Sequence, residues 1–147
     1  MDKTHIDYVD ADRVWKQRVE EEWSENAAQH MHIVDGFSIL ALCEGLPVGL
    51  ISVYWRELPS PLVSIYEGYI DIIEVLPRFR RQGIATRMVE ISTERARKRS
   101  VYQLRAWSSE DKTEAIPMWE TLGFGLCPAI TYPRGQEVKG YFVTKVL

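Results

Sequence analysis

The chain has 147 residues, 46% of them apolar and 11% aromatic, and a formal charge of −3. That length and composition suit one buried core, so a single domain over 1–147 is expected, and disordered, collagen-like and low-complexity chains are excluded. No apolar run approaches the ~18 residues of a membrane helix, and Met1-Asp2-Lys3-Thr4-His5 lacks the basic-then-apolar pattern of a secretory leader. Cys43 and Cys127 are too few for a disulfide scaffold and lack metal spacing. A soluble, cytoplasmic protein with two packed, reduced thiols and no membrane partner is expected.

In chain order, His5–Val9 alternates weakly and predicts a short strand. Asp12 can cap a helix reaching roughly Glu25, with Val14, Trp15, Val19 and Trp23 near one face. Residues 26–35 are undecided between helix and loop. Phe37–Cys43, the turn Glu44–Pro47 and Val48–Trp55 predict a hairpin. Pro59 and Pro61 interrupt the chain, and Tyr69–Val75 is the near-continuous apolar run of an inner strand ended by Pro77. A helix from about Gly83 to Arg99 follows, with Ile84, Met88 and Ile91 at helical spacing. Val101–Trp107 predicts a strand, and 112–122 a helix with Ala115, Met118, Trp119 and Leu122 inward and Pro117 in its first turns. Strands opening at Phe124 and spanning Tyr141–Leu147 complete an α/β protein around a mixed sheet.

The charge is uneven along this order. Residues 1–77 hold 5 basic and 14 acidic side chains, a local −9, whereas residues 78–99 hold 8 basic and 2 acidic, a local +6. A short basic island in an acidic chain points to one polyanionic ligand at one place. The overall negative charge and the lack of a basic, aromatic stripe argue against nucleic acid.

That island contains the most informative stretch, Val75-Leu76-Pro77-Arg78-Phe79-Arg80-Arg81-Gln82-Gly83-Ile84-Ala85. A strand ends, a basic turn follows, and a helix opens at a glycine. The first N–H groups of a helix lack internal acceptors and share the positive end of its dipole, so this is a pyrophosphate cradle in physical terms. Gly83 lets a ligand approach the backbone, Ala85 keeps the first turn low, and Arg80 and Arg81 add charge. Neither Gly-x-x-x-x-Gly-Lys-Ser/Thr nor Gly-x-Gly-x-x-Gly is present.

The stretch resembles the acetyl-CoA loop of the GCN5-related N-acetyltransferase (GNAT) superfamily, Arg/Gln-x-x-Gly-x-Gly/Ala. Ala115-Ile116-Pro117-Met118-Trp119-Glu120-Thr121-Leu122-Gly123-Phe124 is similar to that family's Ala-Ile-x-Leu-Tyr-x-x-Leu-Gly-Phe segment, and the element order agrees from about residue 5 onward. The resemblance implies a central, mostly antiparallel twisted sheet of six to seven strands flanked by about four helices, with its central strand pair splayed. It implies acetyl-CoA as co-substrate, no metal, and direct transfer of acetyl to a primary amine of a small molecule or a protein. A non-catalytic acyl-CoA-binding module of the same fold is the alternative.

Position by position, the resemblance implies that Ile73 and Val75 offer backbone bonds to the pantetheine arm. Arg80, Arg81, Gln82, Gly83, Ile84, Ala85 and Thr86 would surround the pyrophosphate. Lys112 stands where many relatives have an asparagine, and it could reach a phosphate. Trp119 stands where a tyrosine is common; indole is no proton source, so Trp119 is expected as a wall against pantetheine. Tyr102 and Tyr132 are the substitutes available as general acid.

An amine must lose a proton before attack, so a carboxylate on the central strand is expected as base. Asp71 is the first choice, then Glu74, then Glu67, because period two puts Glu67, Tyr69, Asp71, Ile73 and Val75 on one face and Glu74 on the other. The acceptor is expected near Trp15, Trp23, Tyr54 and Trp55, where aromatic and acidic walls suit a cation. His30 and His32 have no partners evident in the sequence, and a metal role is not expected. Exposed sheet edges leave a homodimer open.

Overall fold

A computed structural model describes residues 4–147, so the leader reading at Met1 to Lys3 lies outside the described residues. The first strand is Asp7–Asp10 (β1). Two helices follow, Arg13–Glu22 (α1) and Glu25–Gln29 (α2), where the sequence predicts one helix and an undecided stretch. The break has a local cause. The amides of Trp23 and Ser24 both donate to Val19 O (2.9 and 2.8 Å), and the Ser24 hydroxyl then caps α2 by accepting from the Ala27 amide at 3.1 Å. Asp12 caps α1 as expected, accepting from the Trp15 amide at 3.0 Å. Trp15, Val19 and Trp23 face the sheet, but Val14 is exposed.

Gly36–Cys43 (β2) and Leu46–Glu57 (β3) form the hairpin. Its turn is Glu44 and Gly45 alone, both at positive φ (51° and 78°), so Leu46 and Pro47 belong to β3. Tyr66–Val75 (β4), Ile84–Lys98 (α3), Gln103–Ser109 (β5), Ala115–Thr121 (α4), Gly125–Thr131 (β6) and Val138–Val146 (β7) follow. The seven strands form one sheet in the order β1-β2-β3-β4-β5-β7-β6. Every neighbouring pair is antiparallel except β4 with β5. Pro128 is tolerated because β6 is an edge strand.

The parallel pair is short. Glu67–Ile70 pairs with Gln103–Ala106, yet β4 continues to Val75 and β5 to Ser109. Beyond Ile70 and Ala106 the two strands part, which is the splay the resemblance implies. One face of the sheet packs on α3 and α4 through Ile39, Ile51, Val53, Met88, Leu104 and Trp119. The other packs under α1 and α2 through Val19, Met31, Leu40 and Leu50.

The β3–β4 register slips once: Ser52 pairs with Ile72 but Val53 with Ile70, leaving Asp71 as an extra residue. Such a bulge exchanges the faces of everything after it. Ile70, Ile73 and Val75 pack on the α3 side and Ile72 on the α1–α2 side. The expected face assignment is therefore corrected. Glu67 and Tyr69 lie opposite Arg56 and Tyr54, and Glu74 lies opposite Leu50, all on the α1–α2 face, while Ile73 and Val75 are on the other.

Candidate active site

After β4 the chain makes one tight helical turn, Pro77–Phe79, and enters α3 through Gly83. Arg81 (φ 62°) and Gly83 (φ 80°) are both left-handed, a geometry that turns successive amides to one side. Among the described residues no acceptor reaches the main-chain N–H groups of Arg81 through Thr86, and no side chain caps α3. A Cβ placed on Gly83 would meet nothing within 4 Å, so the space over these amides is open.

A cleft of about 890 Å³ opens there. Ile73, Glu74, Val75, Arg80, Arg81, Gly83, Ile84, Ala85, Thr86 and Lys112 line it, joined by Phe79, Asp111, Thr113, Glu114, Ala115 and Met118. Two expected residues do not. Gln82 turns its amide toward Arg78 O (3.5 Å), and Trp119, 2% exposed, packs edge-on against Phe124 at 4.9 Å. Met118 and Ala115 stand at the wall where Trp119 was expected.

Part of the β4 backbone faces the gap. The Leu76 amide donates to Val48 O at 2.9 Å, which directs Leu76 toward β3 and, by strand alternation, Val75 and Ile73 into the gap. Val75 O is held there by Arg80 Nε–H at 3.0 Å. On β5, Ser108 shares a face with Leu104 and Ala106, just past the end of pairing, and its buried hydroxyl has no hydrogen-bond partner among the described residues. At the rim, Arg81 donates to Glu114 at 3.0 Å; both side chains are exposed, so the pair contributes little stability.

The carboxylates on β4 have separate environments. Glu67 is fully buried and accepts from Arg105 Nε–H at 2.8 Å, with Arg56 at 3.6 Å. Burial raises its carboxyl above the ordinary value, against the pull of Arg56. The same two guanidinium groups lie over the Tyr69 ring at 4.6 and 5.2 Å. Burial, then Tyr54, raises the Tyr69 phenol. Asp71 is part-exposed and takes donors from His30 and His32, neither of which the sequence marked as its partner. Glu74 is exposed in the cleft.

The expected acceptor wall divides. Tyr54 stacks on His32 at 4.5 Å, whereas Trp55, its neighbour in β3, faces the α3 side. Trp15 and Trp23 pack beneath α1. Tyr102 and Tyr132 are exposed and line no part of the cleft. Cys43 is part-buried, but Cys127, expected to be packed, is exposed because the outer strand β6 leaves its face uncovered. Among the described residues no His, Cys, Asp or Glu group is arranged to hold a metal ion, and no helix is long and apolar enough to cross a membrane.

Fold and cleft together define an α/β protein with a run of unpartnered amides beside an open cleft at the mouth of a splayed strand pair. The profile of the Acetyltransferase (GNAT) family matches residues 4–124, and the chain belongs to that family. Solved structures agree in fold. NAA60 of Arabidopsis thaliana in complex with acetyl-CoA has a TM-score of 0.78 at 12% identity, covering 97% of this chain and 100% of that one. The same protein in complex with a bisubstrate analogue has a TM-score of 0.78 at 14% identity, covering 97% and 98%. The ribosomal-protein-S18-alanine N-acetyltransferase of Escherichia coli has a TM-score of 0.73 at 18% identity, covering 97% and 94%. No curated protein matches the chain by sequence.

Proposed function

We propose that this chain is a single-domain, cytoplasmic, acetyl-CoA-dependent N-acetyltransferase that acylates a primary amine, of a small molecule or a protein, by direct attack in a ternary complex. The run of unpartnered amides from Arg81 to Thr86 over open space carries the reading, with the family membership beside it. A diphosphate suits those amides and the cations of Arg81 and Lys112. The gap-facing groups of Ile73 and Val75 and the orphaned Ser108 hydroxyl suit an amide-bearing arm lying between β4 and β5.

When bound, acetyl-CoA supplies a thioester carbonyl open to amine attack. An amine of pKa near ~10 arrives protonated. Asp71, on the bulge where the strands part, takes that proton, and Glu74 in the cleft is the second candidate. A thiol of pKa ~8.5 can depart as thiolate, so no general acid is required in place of the buried Trp119.

The test is thiol release from acetyl-CoA with spermidine, lysine methyl ester and a short peptide bearing a free α-amine. Amine-dependent release, falling roughly 10²–10⁴-fold in Asp71→Asn, is expected. Binding of acetyl-CoA with no release for any amine would instead favour a non-catalytic acyl-CoA-binding module, a reading supported by the lack of tyrosine among the cleft-lining residues.

A further inference from the structure

On the α1–α2 face, Asp71 belongs to a polar network whose other members have no part in the proposed reaction. His30 Nδ1–H and His32 Nε2–H converge on the same oxygen, Asp71 Oδ2, at 3.3 and 2.8 Å. Among the described residues no donor reaches Asp71 Oδ1. The other nitrogen of His32, Nδ1, faces both Asp35 oxygens at 3.0 Å, and its ring stacks on Tyr54.

The main chain of His32 is held as firmly as its ring. Its amide donates to Ser52 Oγ at 2.7 Å, and its carbonyl accepts from Ser38 Oγ at 2.9 Å. Ser38 and Ser52 are cross-strand partners on β2 and β3, exposed by 1% and 0%. Hydroxyls that deep cost stability unless hydrogen-bonded, and these two anchor one loop residue.

We propose that His32 is a positioning residue: clamped by Ser38, Ser52, Tyr54 and Asp35, it occupies Asp71 Oδ2 and leaves Oδ1 for the acceptor ammonium. This rests on Asp71 being the proton acceptor. The ammonium proton passes to Oδ1, and the freed nitrogen lone pair forms the bond to the acetyl carbon. The C–S bond breaks with its electron pair on sulfur, the departing thiolate or solvent takes the second proton from the nitrogen to leave a neutral amide, and Asp71 then returns the first proton to solvent. The bulge is what turns Asp71 out of the ladder toward this loop.

The titratable and charged groups around the pair are His30 and Asp35 of the loop, Tyr54 of β3 and Tyr69 of β4. Arg13 and Lys16 of α1 line the hollow of about 460 Å³ that His32 also borders.

The experiment follows turnover against pH with the fastest amine of the panel above, at saturating acetyl-CoA. His32→Ala is expected to lower kcat roughly tenfold, leave acetyl-CoA Kd unchanged and move the acidic limb of kcat/KM to higher pH, because the carboxylate loses a donor. Added imidazole restores part of the rate, His32→Gln retains more of it, and Asp71→Asn combined with His32→Ala is no slower than Asp71→Asn alone. Ser52→Ala, with the ring intact, shifts the limb in the same direction by less, and serves if His32→Ala does not fold. A folded His32→Ala or Ser52→Ala with an unmoved pH profile, or losses that multiply with Asp71→Asn, would overturn the proposal. Wild-type turnover in Asp71→Asn would overturn the reading of Asp71 itself, a separate outcome.

Discussion

The end of β4 and its middle are proposed to serve one reaction, and they are built from different materials. At the end, the cradle is main chain: amides from Arg81 to Thr86, turned by two left-handed residues at the start of α3. In the middle, the cluster around Asp71 is side chain, assembled from β4, the loop after α2, and β2 and β3 beneath it. A main-chain site needs only contiguous residues with the right dihedral angles. A side-chain site needs distant segments in register. The two should therefore fail independently, and that separation can be tested.

The largest effect is expected at the closed end of the strand pair. Glu67→Ala removes a fully buried carboxylate and strands Arg56 and Arg105, which are partly solvated. Denaturant unfolding should show a loss of about 3 kcal/mol. Acetyl-CoA affinity of the folded fraction should be unchanged. The raised Glu67 carboxyl has a pH signature as well. Its stabilising contribution is complete below the ordinary carboxylate value of about 4.3 and is lost as pH rises through the higher folded value, so Glu67→Gln should flatten that fall.

Next comes the cradle. Gly83→Val adds a branched side chain at φ 80° in the open space over the amides. Calorimetry should show acetyl-CoA binding weakened by at least about tenfold, with the fold retained and the acidic limb of turnover unmoved. A shift of that limb would join the two regions into one unit. Ser24→Ala is the smallest change, about 1 kcal/mol in unfolding, because it removes the cap of α2 ahead of the His32 loop. It should leave acetyl-CoA affinity intact, and a fall in affinity would break the separation from the other side.

What could be read beforehand follows the same division. Strand, basic turn, glycine and helix are contiguous, and nine of the eleven residues expected to hold the carrier line the cleft. Trp119 does not, because helical spacing shows that a residue faces inward but not whether the interior there is cleft or core. The bulge at Asp71 escaped because an apolar run with no break shows no change of phase; only pairing with β3 reveals the extra residue. The histidines escaped with it, since their partner lies about forty residues away. The basic island also divides: Arg80 and Arg81 border the cleft, while Arg95, Arg97 and Lys98 sit in the last turn of α3, where cations offset the helix dipole.

From its residues alone, then, this chain determined an α/β protein around a mixed sheet and a basic turn that enters α3 through a glycine, because dihedral preference and hydrophobic period act within a few residues. Tertiary structure decided which carboxylate faces which partner, which aromatic side chain is wall and which is core, and where β4 and β5 part. Those depend on strand register, and a slip of one residue redirects every side chain beyond it.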